Sequence, residues 1–121
     1  SPKREFLYVD DLAEASLFAL EKISSQNELL NDKESEISGI INIGTGFDIS
    51  IKDLTELIAH EFNYQGNIIW DNSKPDGTPR KLLDVSRVNS FGWVSKTSLK
   101  NGIKMTIDNF IKDYKSKTLR I

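Results

Sequence analysis

Short apolar, β-prone runs alternate with amphipathic helical stretches along this chain, and no other feature limits its fold as strongly. Residues 5–9 (Glu-Phe-Leu-Tyr-Val), 39–43 (Gly-Ile-Ile-Asn-Ile) and 67–70 (Asn-Ile-Ile-Trp) read as strands, and residues 81–84 as a briefly extended piece. After the first run, Asp10 and Asp11 offer N-caps, and Asp11 with Glu14 makes an Asp-based capping box. The helix that follows, to about residue 22, carries Leu12, Ala15, Leu17, Phe18, Ala19 and Leu20, with Ile23 just beyond. These surround much of its circumference, which predicts a largely buried helix. A second helix starts after the N-cap Ser50, with Ile51, Leu54, Leu57, Ile58 and Phe62 on one stripe. It ends in Asn63-Tyr64-Gln65-Gly66, with Gly66 the residue suited to a left-handed conformation. A short helix over 86–91 is stopped by Gly92, and Ser98 caps a last helix whose apolar face is Leu99, Ile103, Ile107, Phe110, Ile111 and Tyr114. The alternation argues for an α/β unit of few, short, partly parallel strands packed with about three to four helices.

Composition narrows what such a unit can do. The chain has 121 residues, enough for one domain. Its 16 Lys+Arg against 18 Asp+Glu, net −2, exert no general pull on nucleic acid or an anionic membrane. The absence of Cys excludes disulfides, thiolate metal sites and thiol nucleophiles within the chain, and a single His excludes a His-rich metal site. No run approaches the roughly 18 apolar residues of a membrane helix. Ser1-Pro2-Lys3-Arg4-Glu5 has no apolar segment of the signal-peptide kind. The missing initiator Met and the small number of strands lead us to expect part of a longer, cytoplasmic protein. Residues 24–38 form a polar loop without periodicity, which fits a functional lid or a plain surface insertion.

Few residue groups can carry chemistry. Gly44-Thr45-Gly46 resembles half of a dinucleotide fingerprint, but Ile49 stands where the third glycine belongs, so an ordinary strand-to-helix turn is the expectation. His60, near Glu56 and Glu61, has no second ligand at metal spacing and no nucleophile in triad order. The basic tail Lys112, Lys115, Lys117 and Arg120 has only Tyr114 as a stacking residue and reads as a solvated helix end. The loop at 71–81 is different. Two prolines and an Asp-Gly turn stiffen it and place Arg80 and Lys81 at its end, an arrangement suited to an anionic ligand. Arg4, at the start of the first strand, is a second rigidly held cation. The plain alternative is a surface turn with unpaired cations.

These residues carry a family resemblance that runs nearly end to end. Arg4-Glu5-Phe6-Leu7-Tyr8-Val9-Asp10-Asp11 resembles the strand-to-helix segment of the extended short-chain dehydrogenases/reductases, and Asn42-Ile43-Gly44-Thr45-Gly46 and Phe91-Gly92-Trp93 fit the same superfamily. Residues 73–87 (SKPDGTPRKLLDVSR) are similar to the segment typical of the GDP-4-keto-6-deoxy-D-mannose epimerase/reductases, the GDP-L-fucose synthase family. The resemblance implies that residues 1–121 are the single substrate-binding, C-terminal portion of an enzyme whose N-terminal Rossmann domain is not in this chain. That domain would bind NADP(H) and supply the catalytic residues. The chain has no Tyr followed four residues on by Lys and no complete glycine-rich turn, so it is expected to hold no catalytic, cofactor or metal residue and to be inactive alone. What carries over is GDP-sugar binding: Arg4 and Lys81 at the diphosphate, Asp76 as a polar contact to the GDP moiety. A homodimer of the whole enzyme is a family expectation, with no nucleic acid and no membrane involved. The alternatives are a related nucleotide-sugar epimerase or dehydratase, or a non-catalytic nucleotide-sugar-binding module.

Overall fold

The computed structural model describes residues 1–22, 39–73 and 75–118. The expected polar loop 24–38 and the tail residue Arg120 lie outside them. Along the chain run β1 (Lys3–Glu5), α1 (Val9–Lys22), β2 (Asp48–Ser50), α2 (Ile51–Glu61), β3 (Arg80–Lys81), α3 (Ser86–Ser90) and α4 (Leu99–Ser116). Among the described residues the strands make one mixed sheet in the order β2-β1-β3. The central β1 pairs antiparallel with β2 (Arg4 opposite Ile49, Glu5 opposite Asp48) and parallel with β3 (Lys3 opposite Arg80, Arg4 opposite Lys81). The α/β class with a partly parallel sheet is therefore the observed one.

The two helices with clean stripes form where their local signals place them. Ser50 accepts from the Asp53 amide at the start of α2, and Ser98 from the Asn101 amide at the start of α4. α2 ends differently from expectation: Asn63, not Gly66, takes the left-handed conformation, with φ 51°. α2 and α4 converge on residues 6–9 around an apolar groove of about 570 Å³, lined by Phe6, Leu54, Ile58, Phe62, Ile103 and Phe110. Gly102 lets α4 come close: a Cβ there would sit 3.3 Å from Tyr8 Cδ2.

A separate core lies under α1. Ala15, Val88 and Trp93 are buried there, with Leu7, Phe18, Ile41, Ile43 and Val85 packed against them. Trp93 Nε1 is buried in it without a hydrogen-bond partner among the described residues. The rest of α1 corrects the expectation of a largely buried helix. Leu17 and Leu20 are 61% and 84% exposed, and Val9 and Leu12 are exposed as well. An all-round apolar helix needs cover on two sides, and the described residues supply one.

Three strand expectations also shift. The first strand is Lys3–Glu5 rather than residues 5–9, because α1 already begins at Val9. Residues 39–43 and 67–70 join no ladder, since no strand edge among the described residues lies beside them. Residues 40–43 are held by side chains instead: Arg87 Nη1 donates to the Ile40 carbonyl at 2.8 Å, and Asn42 Nδ2 to the Asp84 carbonyl at 3.2 Å. No helix of the described residues is long and apolar enough to cross a membrane.

Asp11 does not cap α1 either. It lies inside the first turn, is 6% exposed, and reaches across to the segment before α4. Its Oδ2 accepts from the Lys96 and Thr97 amides at 3.0 and 2.8 Å, and its Oδ1 from the Thr97 hydroxyl at 2.8 Å. Glu14, expected to complete the capping box, instead meets Lys96 Nζ. Asp11 thereby fixes α4 relative to α1. Removing it strands part-buried donors, each costing on the order of 1–3 kcal/mol at most. Asp11→Ala is expected to lower unfolding free energy by about 2–4 kcal/mol in urea denaturation, against less than about 1 kcal/mol for the exposed control Asp10→Ala.

Candidate functional site

The candidate site lies on one face of the small sheet. Alternation along a strand sends Arg4 to one side and its neighbours Lys3 and Glu5 to the other. Because Arg4 and Lys81 are register partners on adjacent parallel strands, their side chains leave the sheet on the same face, on backbones about 4.8 Å apart. The half-buried Arg4 guanidinium turns back over the proline-stiffened loop. Its Nη1 donates to the Lys3 carbonyl at 2.6 Å and to the Thr78 carbonyl at 2.8 Å. A Cβ on Gly77 would stand 3.5 Å from Nη2, so the glycine lets the loop lie against the guanidinium. Lys81 is exposed and makes no side-chain hydrogen bond or ion pair among the described residues. Neither cation faces a carboxylate there.

Asp76 lies in the same loop, next to Gly77, and is exposed. Its Oδ2 is 3.7 Å from the Ser1 backbone nitrogen. The structure thus pairs Arg4 with Lys81 directly and attaches the Asp76 loop to Arg4 through Gly77 and Thr78. Arg80, on the opposite face, forms an ion pair with Asp48 of β2, which bridges the two outer strands across β1. His60 is exposed, and its ring Nδ1 lies 3.3 Å from Glu61 Oε1. No group of three potential metal ligands occurs among the described residues.

Sequence reasoning missed Glu5. From the face opposite Arg4, its Oε1 accepts from the Gly46 amide at 2.7 Å and from the Thr45 amide and hydroxyl. Its Oε2 accepts from the Leu83 amide at 3.0 Å. The signal was a carboxylate on the inward-facing register of a short strand, where it must find donors. Gly44 accommodates it, because a Cβ at that position would overlap the Glu5 carboxylate. The turn Gly44-Thr45-Gly46 therefore does not fit a cofactor pyrophosphate, since its amides already serve an anion of this chain.

Burial pushes the Glu5 carboxyl up, but the Leu83, Gly46 and Thr45 hydrogen bonds outweigh it and hold it below the usual carboxylate range. Asp11 follows the same pattern: burial raises it, and the donors from Thr97 and Lys96 bring it down further.

Known proteins resemble this chain in sequence and fold. Residues 1–44 match the model of the NAD dependent epimerase/dehydratase family. The GDP-L-fucose synthase of Escherichia coli is 42% identical over 113 residues, which are 93% of this chain and 34% of that protein. The crystal structure of a GDP-6-OMe-4-keto-L-xylo-heptose reductase from Campylobacter jejuni superimposes with a TM-score of 0.85 at 34% identity, covering 93% of this chain and 32% of the other. A GDP-mannoheptose C4 reductase from Campylobacter jejuni, solved with NADP bound, gives 0.75 at 33% identity, over 91% and 32%. In sequence and fold the chain is similar to the extended short-chain dehydrogenases/reductases. Within that class it is GDP-L-fucose synthase-like. It spans about a third of the length of the curated relatives it matches.

The two depressed carboxyls set a direction for acid stability. Their folded pKa values lie below the unfolded ones, so the stability they contribute is full above the ordinary carboxylate range of about 4 and is lost as pH falls through the depressed values. Denaturation midpoints measured from neutral to about pH 3 should fall steeply for the wild type. Glu5→Gln and Asp11→Asn should start lower and fall less. Parallel curves for all three proteins would refute the assignment.

Proposed function

We propose that this chain is the GDP-sugar-binding part of an NADP-dependent epimerase/reductase that converts GDP-4-keto-6-deoxy-D-mannose to GDP-L-fucose. One observation carries the reading: Arg4 and Lys81 stand side by side on one sheet face, and neither has a carboxylate to face among the described residues. Like charges directly opposite on neighbouring strands repel, and an anion seated between them removes that penalty. Likeness to GDP-L-fucose synthases and GDP-sugar reductases supports a nucleoside diphosphate as that anion.

In this reading Arg4 and Lys81 hold the diphosphate, and Asp76 makes a polar contact to the GDP moiety. Arg4 has a second duty, because its Nη1 holds the Thr78 carbonyl and so keeps the Asp76 loop over the site. The chain binds and orients the sugar nucleotide without touching the reacting carbons. A Rossmann domain of the parent protein supplies the NADP(H) site, the hydride chemistry and the epimerisation residues in a cytoplasmic enzyme, and the isolated chain is inactive.

The test is Arg4→Ala in the full-length enzyme. Hydrogen bonds to charged groups contribute about 1.5–3 kcal/mol each, so kcat/KM should fall roughly 10- to 150-fold. The diphosphate is unchanged by the reaction, so most of the loss should appear in KM for the GDP-sugar. Arg4→Lys should recover part of it, keeping the charge but not the fork. A KM within about twofold of wild type in a folded Arg4→Ala enzyme refutes the reading. The isolated chain should also show no saturable heat with millimolar NADP(H) in isothermal titration. Saturation would mean that the Gly44-Thr45-Gly46 turn exchanges Glu5 for a cofactor phosphate.

A further inference from the structure

The strand that carries Lys81 is two residues long and has little ladder of its own to fix it. Beyond it, the next tie to β1 is not a main-chain bond but the Glu5 carboxylate on the Leu83 amide. The other oxygen of that carboxylate grips the Gly46 amide and Thr45. Glu5 is also the immediate neighbour of Arg4. One side chain therefore spans three segments: the strand bearing one cation, the stretch two residues past the other, and the turn preceding β2.

We propose that Glu5 is a positioning residue for the nucleotide-diphosphate site: from the opposite face of the sheet it sets the placement of Lys81 beside Arg4. The proposal rests on the diphosphate reading of Arg4 and Lys81. The carboxylate suits this task better than an amide. Both of its oxygens accept, and the four donors around it leave no place for an N–H. A glutamine keeps one acceptor and turns an amine toward either Leu83 or the glycine turn, so one of the two ties breaks. An aspartate keeps the charge but, one methylene shorter, cannot reach both sides at once. The Arg80–Asp48 pair holds the start of β3 and leaves its far end to Glu5.

The experiment is a double-mutant cycle between Glu5→Gln and Lys81→Ala in the full-length enzyme, read as KM for the GDP-sugar, with kcat and KM for NADP(H) followed alongside. Each single variant is expected to raise KM for the GDP-sugar by about tenfold with little change in kcat. Once Lys81 is gone its placement no longer matters. The double variant should therefore stay within about threefold of Lys81→Ala alone rather than reach the ~100-fold of independent effects. KM for NADP(H) should be unchanged throughout, which a general loss of structure would not spare. Glu5→Asp should recover part of the loss, and it carries the same cycle if Glu5→Gln does not fold. A normal KM for the GDP-sugar in folded Glu5→Gln, or full additivity with Lys81→Ala, overturns the positioning role while the diphosphate reading stands. A normal KM in Lys81→Ala itself overturns the diphosphate reading at that residue, and the positioning role with it.

Discussion

One half-buried carboxylate, that of Glu5, is the tie on which the small sheet and its surroundings depend. Its burial is unfavourable in itself, since a charge leaving water loses hydration that only well-placed donors replace. The glycine turn supplies two amides and one hydroxyl. The Leu83 amide completes the set and draws the segment after β3 onto β1. The same contact decides what the glycine turn cannot do. A nest of amides that elsewhere receives a phosphate here receives a side chain of its own fold.

Asp11 repeats the device on a second scale. It joins the first turn of α1 to the segment leading into α4, just as Glu5 joins β1 to its neighbours. Both carboxylates come from the stretch 5–11, so a short piece of chain holds the later elements in place. Apolar packing fills the space between them. Ala15, Val88 and Trp93 make a compact core, while the outer surface of α1 presents Leu17 and Leu20 to solvent.

Local signals made the starts of α2 and α4 legible to the residue. A stripe at helical spacing and a serine cap are properties of neighbouring letters. Strands depended on partners. Residues 39–43 and 67–70 have the β-branched, apolar character of strands but no edge to join among the described residues, whereas Asp48-Ile49-Ser50 and Arg80-Lys81 are mostly polar and pair because β1 lies between them. The cations Arg4 and Lys81 stood out as charges beside rigid segments, and their placement in register came only from the sheet. Glu5 and Asp11 escaped because the donors they satisfy lie some 40 to 86 positions away in sequence. Asp11 had an adequate local explanation as a helix cap, and the longer-range contact displaced it.

The adjacency of Arg4 and Glu5 on β1 has a consequence for how this chain can change over time. Consecutive residues of a strand face opposite ways, so this dipeptide presents a cation to one side and an anion to the other. Inserting or deleting one residue within β1 reverses both. A guanidinium then enters a ring of amide donors, and a carboxylate takes the place beside Lys81. Each is a charge in the wrong field, and no adjustment of side chains repairs the two together. The segment is thus far more sensitive to length than to substitution, and changes in chain length can be absorbed only in the loops outside it.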